Sequence, residues 1–505
     1  MRSEILFFFA ILVLILSGCL QEKKELVIGE IWDIKSLDPI GAGTLVREKA
    51  LIVENLVGMN PDLTLKPELA VKWERIDDLT WRFYLRKGVL FHDGLEMKAE
   101  HVKWSLERAL KNPSIKKLTL IESISILDDY TIEIKTSKPF AVFPAALAYS
   151  NIAIISPNSK FEGDTIIAPI GTGPFRFVKF DQAQKALFVE KFEKYWGEKA
   201  KIDSWIIRAI PDPSARSLAV ESGEVDLTYE IPYGDVERLS KKKELKVDIY
   251  QTNRVYQMNF GNLNDSIWQD VRVRKALSLA IDRKAIAEKI LHGVAIEATG
   301  IVPPNLWWSA GNCDYYRYDP KKAKELLKEA GWADEDGDGV LEKDGKKFEI
   351  TIYTYPQRPG LKPMAEAIQQ YLKEIGIKAE IRVMDYEAID KMMTKNDIRI
   401  AAFHQTMVPD PDYYLRRTYM TNGDFNTWGY SNPEVDRLLE EGIKKFEEAE
   451  RKEIYKKVQE IVCSDLPIIH LAFYKVPVVY NEKVTNVKFK PAAHDLWLTQ
   501  TIEKR

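Results

Sequence analysis

Residues 348–383, FEITIYTYPQRPGLKPMAEAIQQYLKEIGIKAEIRV, decide the fold class of this chain. Residues 348–353 alternate apolar and polar side chains as a strand does, and residues 377–383 do so again. Between them, the apolar residues of 363–375 recur at helical spacing. Strand, helix and strand in this order form a βαβ unit with a parallel strand pair. The stretch therefore predicts an α/β protein.

The elements that follow or precede this unit have the same mixed character. Asp319 and Pro320 predict a helix start, because aspartate caps the helix and proline suits its first turn. A strand is predicted over 399–403, followed by helices over 432–446 and 449–464. No internal repeat, low-complexity tract or long linker separates the elements, which favours lobes joined by strand crossovers.

Length and composition describe a large globular protein without a charge bias. The chain has 505 residues, of which 45% are hydrophobic, with 73 Lys and Arg against 76 Asp and Glu. This length suggests about three domains. Because the charges balance, no nucleic-acid partner is expected. The protein is predicted to be a monomer. The motifs GxSxG, HExxH, the P-loop and GxGxxG are absent from the sequence, so no enzyme activity is predicted.

The N-terminus is typical of a lipoprotein signal peptide. Residues 5–16 are an unbroken apolar run, shorter than the roughly 20 residues that cross a bilayer. Residues 16–19, LSGC, resemble the lipobox of secreted lipoproteins. We predict that residues 1–18 are removed, that Cys19 is lipidated, and that residues 19–25 form a tether. The folded body would then be anchored outside the cytoplasm, on the periplasmic or cell-surface side.

Two cysteines, Cys313 and Cys463, remain in the predicted mature chain. No CxxC pair or Cys/His cluster accompanies them, so a structural zinc site is not expected. A disulfide requires that the fold bring the two together across 150 positions. The sequence therefore favours two unpaired core thiols, with a disulfide as the alternative.

Several longer motifs resemble the peptide/nickel family of solute-binding proteins that serve ABC importers. The clearest match is LKPELAVKW, residues 65–73, which leads to TWRFYLRKGVLFHDG, residues 80–94. Further matches are APIGTGP (168–174), YWG (195–197), IPDP (210–213), GEVD (223–226), VRVRKAL (271–277) and AIDR (280–283). The likeness spans nearly the whole mature chain.

The resemblance implies two α/β lobes that close on a ligand as a hinged trap, the fold of periplasmic binding proteins. Lobe I would comprise 26–260 and 476–505, with an extra subdomain at about 47–155, and lobe II would comprise 261–475. The crossovers would lie near 258–262 and 471–476.

The function implied by the resemblance is capture of small peptides and their delivery to a membrane permease paired with an ATPase. The alternative is binding of nickel or a nickel chelate. Cell-surface adhesion is a more distant alternative, because a lipoprotein signal also fits it.

Ligands of open α/β sheets bind beyond the carboxyl ends of the strands, and two predicted loops fall there. Arg358 follows one strand and resembles the place where dipeptide-binding members hold the peptide carboxylate. His404 and Met407 follow another, and Met407 stands where those members place an aspartate for the peptide amine. Asp410 and Asp412 lie nearby but are typical of a helix-capping turn.

A second group of candidate ligand contacts comes from elsewhere in the chain. His494, in KPAAHD at 490–495, lies where nickel-binding members bring the C-terminal segment past the pocket. An imidazole pair with His404 would suit a nickel chelate. Trp32 is a candidate for stacking on a ligand.

Residues 334–345 begin as a calcium loop does. Asp334, Asp336 and Asp338 occupy its acidic positions, but Gly345 stands at the twelfth position, where a calcium loop has Glu. The pattern predicts either calcium binding or a polar turn. No other cofactor is expected.

Overall fold

A computed structural model describes residues 23–489 and 496–505 of the chain. The predicted signal peptide, Cys19 and His494 lie outside these residues. None of the helices within 23–489 and 496–505 is both long and apolar enough to cross a bilayer.

The described residues form a mixed α/β structure, as the sequence predicts. The strands, in chain order, are β1 Glu25–Glu30, β2 Val57–Met59, β3 Leu65–Pro67, β4 Ala70–Arg75, β5 Thr80–Leu85, β6 Ile121–Asp128, β7 Thr131–Thr136, β8 Lys160–Glu162, β9 Thr165–Ala168, β10 Phe175–Asp181, β11 Ala186–Lys191, β12 Ser204–Ala209, β13 Leu227–Tyr229, β14 Leu245–Phe260, β15 Ala295–Glu297, β16 Glu342–Lys343, β17 Lys346–Lys347, β18 Glu349–Thr354, β19 Lys378–Val383, β20 Ile398–His404, β21 Ile468–Asn481, β22 Val484–Thr485 and β23 Glu503–Lys504.

The α-helices of the described residues are Pro39–Gly43, Ala99–Ala109, Pro113–Thr119, Phe143–Ala146, Pro213–Ser222, Asp235–Ser240, Val271–Ala280, Arg283–Ala285, Pro320–Glu329, Leu361–Glu374, Tyr386–Met392, Pro411–Tyr419, Pro433–Gly442 and Glu448–Asp465. Two short π-helices, Thr44–Lys49 and Ile286–Ile290, follow the first and the eighth of these.

The largest sheet has 11 strands in the described residues, in the order β10-β11-β12-β1-β13-β21-β14-β20-β18-β19, with β15 paired to β21. β1 is parallel to β12 and β13. β18 is parallel to β19 and β20. The sheet therefore has a parallel group in each lobe, and the antiparallel strands β14 and β21 join the two groups.

β14 and β21 are long because each runs through both lobes. Residues 245–251 pair with 475–481, next to β13 in lobe I, whereas 255–259 pair with 468–473, next to β20 in lobe II. The register shifts between Gln251 and Val255. The pairing of β14 with β21 is therefore interrupted at this shift. The lobe bounds and crossovers stay a prediction, and lobe I and lobe II are used here as names for the predicted ranges.

The subdomain carries its own sheet, β4-β5-β7-β6. Trp81, Phe83 and Leu85 alternate along β5 and are buried, as their spacing predicts. The subdomain also contacts lobe II, because Lys138 forms an ion pair with Glu440 at 2.7 Å. The lobes are therefore in contact at this ion pair as well as at the joining strands β14 and β21.

The predicted βαβ unit is confirmed. β18 and β19 are parallel and in register from Glu349 with Lys378 to Thr354 with Val383, and the Leu361–Glu374 helix connects them. The Asp319 carboxylate accepts a hydrogen bond from the Lys322 backbone N–H, which confirms the predicted cap.

Two of the family-like motifs converge on one buried carboxylate, Glu54. It accepts hydrogen bonds from the Thr172 hydroxyl at 2.8 Å, the Tyr195 hydroxyl at 2.7 Å and the Trp196 indole N–H at 2.8 Å. Burial, together with the charge of Glu68, raises the pKa of Glu54 to about 7. The motifs therefore hold the subdomain to the rest of lobe I through a carboxyl group that keeps its proton more readily than usual.

Cys313 and Cys463 form a disulfide bond, so the expectation of two unpaired thiols is wrong. Their Cα atoms are 5.7 Å apart, which is an ordinary disulfide spacing. Cys463 lies in the last turn of the Glu448–Asp465 helix, and Cys313 precedes a short 3₁₀ helix, Asp314–Tyr316. Sequence spacing could not predict the pair, because only the packing of this helix against that loop brings the cysteines together.

Candidate functional site: the cleft between the lobes

A cleft of about 440 Å³ lies between the two lobes. Its lining residues are Glu30, Trp32, Asp33, Ile34, Lys35, Ser36, Gly41, Ala42, Thr44, Leu45, Lys49, Tyr149 and Asn151 from lobe I, and Gln357, Asp385, Tyr386, Glu387, His404 and Met407 from lobe II. Lys35 and Glu387 form an exposed ion pair at 2.8 Å that links the lobes beside the cleft. The two walls of the cleft are therefore in contact at this ion pair.

The strand topology explains why these residues meet. β1 ends at Glu30 and β13 at Tyr229, while β18 ends at Thr354 and β20 at His404. β1 and β13 run parallel, as do β18 and β20, so each pair presents its carboxyl ends at one edge. Ligands of open α/β sheets bind at such edges.

Three of the predicted contact residues line the cleft: Trp32, His404 and Met407. The Trp32 ring centroid lies 6.2 Å from that of Tyr355. Nδ1 of His404 and the hydroxyl oxygen of Tyr413 are 3.2 Å apart, which orients the imidazole. The cleft thus offers an aromatic surface, an imidazole and a thioether to a ligand.

Arg358 lies behind the cleft wall and is only 1% exposed. Its Nη1 donates a hydrogen bond to Oε1 of Glu230 at 3.0 Å, and the Tyr474 hydroxyl donates to the same oxygen. Its guanidinium carbon is 5.4 Å from the Trp32 ring centroid. Because Glu230 belongs to lobe I, the guanidinium pairs with a carboxylate of the opposite lobe.

The sequence interpretation missed a buried polar group in the cleft, made of Glu30, Lys49 and Tyr229. Lys49 Nζ lies 2.6 Å from Glu30 Oε2 and donates to the Tyr229 hydroxyl at 2.8 Å. The Tyr229 hydroxyl donates to Glu30 Oε1 at 2.8 Å. The position of Glu30 at the end of a predicted strand could have indicated that it faces the cleft. Nothing in the sequence around Lys49 indicates that this lysine contacts Glu30.

Asp410 caps the helix Pro411–Tyr419, as the predicted helix-capping turn implies, and Asp412 lies in the first turn of that helix. Asp410 accepts a hydrogen bond from the Asp412 backbone N–H and binds Arg451 at 2.6 and 2.7 Å. Asp412 binds Arg416 at 2.9 and 3.0 Å, and burial raises the pKa of Asp412. Both carboxylates therefore form ion pairs with arginines of the protein itself, and neither is among the cleft-lining residues.

The acidic loop contains three exposed carboxylates, Asp334, Asp336 and Asp338, with oxygens within 4.8 Å of one another. Asp334 accepts hydrogen bonds from two backbone N–H groups of its own loop, and the Lys347 ammonium bridges Asp336 and Asp338. A bound cation would have to displace this ammonium. Calcium binding at 334–345 stays a prediction.

A cleft between two α/β lobes that are joined by paired crossover strands defines a two-lobed ligand-binding protein. Residues 64–426 match the model of the bacterial extracellular solute-binding proteins, family 5 Middle. The chain belongs to this family. It is a solute-binding protein of an ABC importer that acts outside the cytoplasm.

Known proteins resemble the chain over almost its whole length. The glutathione-binding protein GsiB of Salmonella choleraesuis (strain SC-B67) is 30% identical over 491 residues, which cover 93% of this chain and 92% of that protein. NikZ of Campylobacter jejuni, solved with Ni(L-His), has a TM-score of 0.85 and 27% identity, with 95% of this chain and 100% of that one covered. The periplasmic binding protein DppA of Helicobacter pylori, solved with the peptide STSA, has a TM-score of 0.80 and 28% identity, with 95% and 99% covered.

Proposed function

We propose that this protein captures short peptides in the cleft and delivers them to the permease of its importer. The observation that carries the proposal is the cleft itself, whose volume of about 440 Å³ lies in the lower half of the range for small-molecule sites. Such a volume suits a peptide of a few residues. Its walls offer both signs of charge, with Lys35 and Lys49 against Asp385 and Glu387, which suits a zwitterion.

The relatives support the same size of ligand. One is named for glutathione, a tripeptide, and another was solved with the four-residue peptide STSA. We propose that Trp32, His404 and Met407 contact the ligand directly. Arg358 would act on the ligand without direct contact, through the electrostatic field of its guanidinium from behind Trp32.

Mass spectrometry of ligands released from the natively purified protein tests the proposal, followed by calorimetry with glutathione and with peptides of two to four residues. We expect a co-purified short peptide and saturable binding of at least one peptide series. A bound sugar, or no heat with any peptide after the bound ligand has been removed, would contradict it.

A nickel chelate is the second candidate ligand, and His404 and Met407 favour it. An imidazole and a thioether line the cleft on one short segment of lobe II, and both are ligands for late transition metals. Titration with nickel plus histidine is expected to give binding that His404→Ala weakens at least tenfold. His494→Ala, tested alongside, should weaken it too, whereas peptide affinity should change far less in both variants. Equal nickel affinity in wild type and variants would exclude this candidate.

We propose further that the protein is a monomer anchored to the membrane by a lipid on Cys19. The support is the apolar run at 5–16 followed by LSGC, since a diacylglyceryl thioether requires that thiol. Cys19→Ser is expected to leave the protein unprocessed or to release it from membranes, as fractionation and intact-mass measurement would show. Membrane association and maturation equal to wild type would contradict the anchor.

A further inference from the structure

A second cavity, the side groove, lies next to the cleft and shares part of its wall. The side groove has a volume of about 760 Å³. Its lining residues are Ser36, Asp38, Ile40, Gly41, Trp104, Glu107, Arg108, Lys111, Asn112, Pro113, Phe161, Asp164 and Thr165. Ser36 and Gly41 also line the cleft. The two cavities therefore meet along the segment 36–41.

Gly41 leaves the boundary between the two cavities open. It is exposed and belongs to the Pro39–Gly43 helix. Outside its own helix, a Cβ atom on Gly41 would meet only Ser36 Oγ, at 4.0 Å, in the described part of the chain. Its backbone is not in the left-handed region that favours glycine, whereas a Cβ on Gly43 would lie 2.5 Å from the Ser150 backbone. Packing thus requires glycine at 43 but not at 41, where the missing side chain keeps the boundary clear.

The charges within the side groove are paired with one another. Asp38 is buried and accepts a hydrogen bond from Arg108 Nη1 at 3.0 Å. It also accepts hydrogen bonds from the backbone N–H groups of Ile40 at 3.0 Å and Ile166 at 3.1 Å. These bonds fix the segment 36–41 against the subdomain. The groove is therefore held in shape, and recognition of a ligand falls to its uncharged walls.

Two aromatic rings provide the apolar wall of the side groove. The ring centroids of Trp104 and Phe161 are 6.3 Å apart, with their planes at 88°. Both side chains are half-buried, as is that of Ile40. Aromatic rings in such an arrangement offer a large, well-positioned apolar surface. The groove therefore suits an apolar side chain better than an ion.

We propose that the side groove extends the ligand site and holds the far end of a peptide whose other end lies in the cleft. An apolar side chain of that peptide would pack on Trp104 and Phe161. Because an extended peptide advances roughly 3.3 Å per residue, peptides of about six residues or more would reach from the cleft into the groove. The inference rests on the proposed function and deepens it, since it makes longer peptides with an apolar end the preferred ligands.

The test measures peptide affinity as a function of length. Calorimetry is run with a three-residue core peptide and with two series lengthened to eight residues, one at the N-terminus and one at the C-terminus. The last added residue is Phe or Ser. Wild type is expected to bind the longest Phe peptide of one series at least about tenfold more tightly than the core, as for burial of one apolar side chain. That series shows which end of the peptide enters the groove, and its Ser counterpart should gain less.

Two variants test whether the groove causes this length gain, the ratio of extended to core affinity. Gly41→Leu places a side chain over the boundary and is expected to reduce the ratio to less than about threefold. Trp104→Ala removes one ring and should bring the Phe and Ser peptides to similar affinities. Gly234→Leu is the matched control, because Gly234 is exposed, has a φ of −62° and has open space at its Cβ among the described residues. Circular dichroism confirms that each variant is folded.

The outcomes separate this inference from the proposed function. Equal affinity of wild type for core and extended peptides would show that the groove takes no part, while peptide capture stands. The inference is also wrong if Gly41→Leu keeps the length gain, if Trp104→Ala keeps the preference for Phe, or if Gly234→Leu lowers the gain as much as Gly41→Leu. If wild type binds no peptide of any length, the proposed function and this inference both fail.

Discussion

Arg358→Ala is expected to lower the free energy of unfolding by about 3–5 kcal/mol, the cost of removing one partner of a buried ion pair. Arg358 and Glu230 are both fully buried in their side chains and are 3.0 Å apart. Without the guanidinium, a carboxylate inside the protein loses one of its charged partners. Because the pair joins lobe II to lobe I, the same change should weaken closure. Denaturant unfolding followed by tryptophan fluorescence measures the first effect, and small-angle scattering measures the second.

A double variant supplies the control for this prediction. Arg358→Met/Glu230→Gln removes both charges, and buried ion pairs replaced by neutral groups of similar volume often cost little. We therefore expect the double variant to recover most of the lost stability, with Arg358→Lys recovering part of it. A stability of Arg358→Ala equal to wild type would show that the pair contributes nothing to the folded state.

Breaking the Cys313–Cys463 bond is expected to lower the free energy of unfolding by about 4–5 kcal/mol. The bond closes a loop across 150 positions, and long loops gain the most when a crosslink restricts the unfolded chain. An oxidising location outside the cytoplasm permits the bond to persist. Cys313→Ser/Cys463→Ser and wild type, each with and without reductant, are compared by denaturant unfolding.

The double serine variant is its own control, because reductant should destabilise wild type and leave the variant unchanged. Intact mass after alkylation, measured with and without reduction, shows whether the bond is present before unfolding begins. Two alkylated thiols in the unreduced protein, purified from its natural compartment, would contradict the disulfide.

The sequence by itself determined the local elements of this protein. Alternation along β5 and the apolar spacing of the Leu361–Glu374 helix depend on residues a few positions apart, and the Asp319 cap reaches only to Lys322. The family-like motifs predicted the two lobes, and the strand ends predicted which segments face the cleft. Three of the predicted contacts, Trp32, His404 and Met407, do line it.

Only the tertiary structure decided how charges and thiols pair. Arg358 and Glu230 are 128 positions apart, Tyr229 and Glu30 are 199 apart, and the two cysteines are 150 apart. A residue pattern records which side chains can pair, but the partner depends on which strand ends the fold brings together. Lys49 is the clearest case, since a charged residue in an amphipathic segment is ordinarily solvated, and only the neighbouring ends of β1 and β13 place its ammonium in the cleft wall.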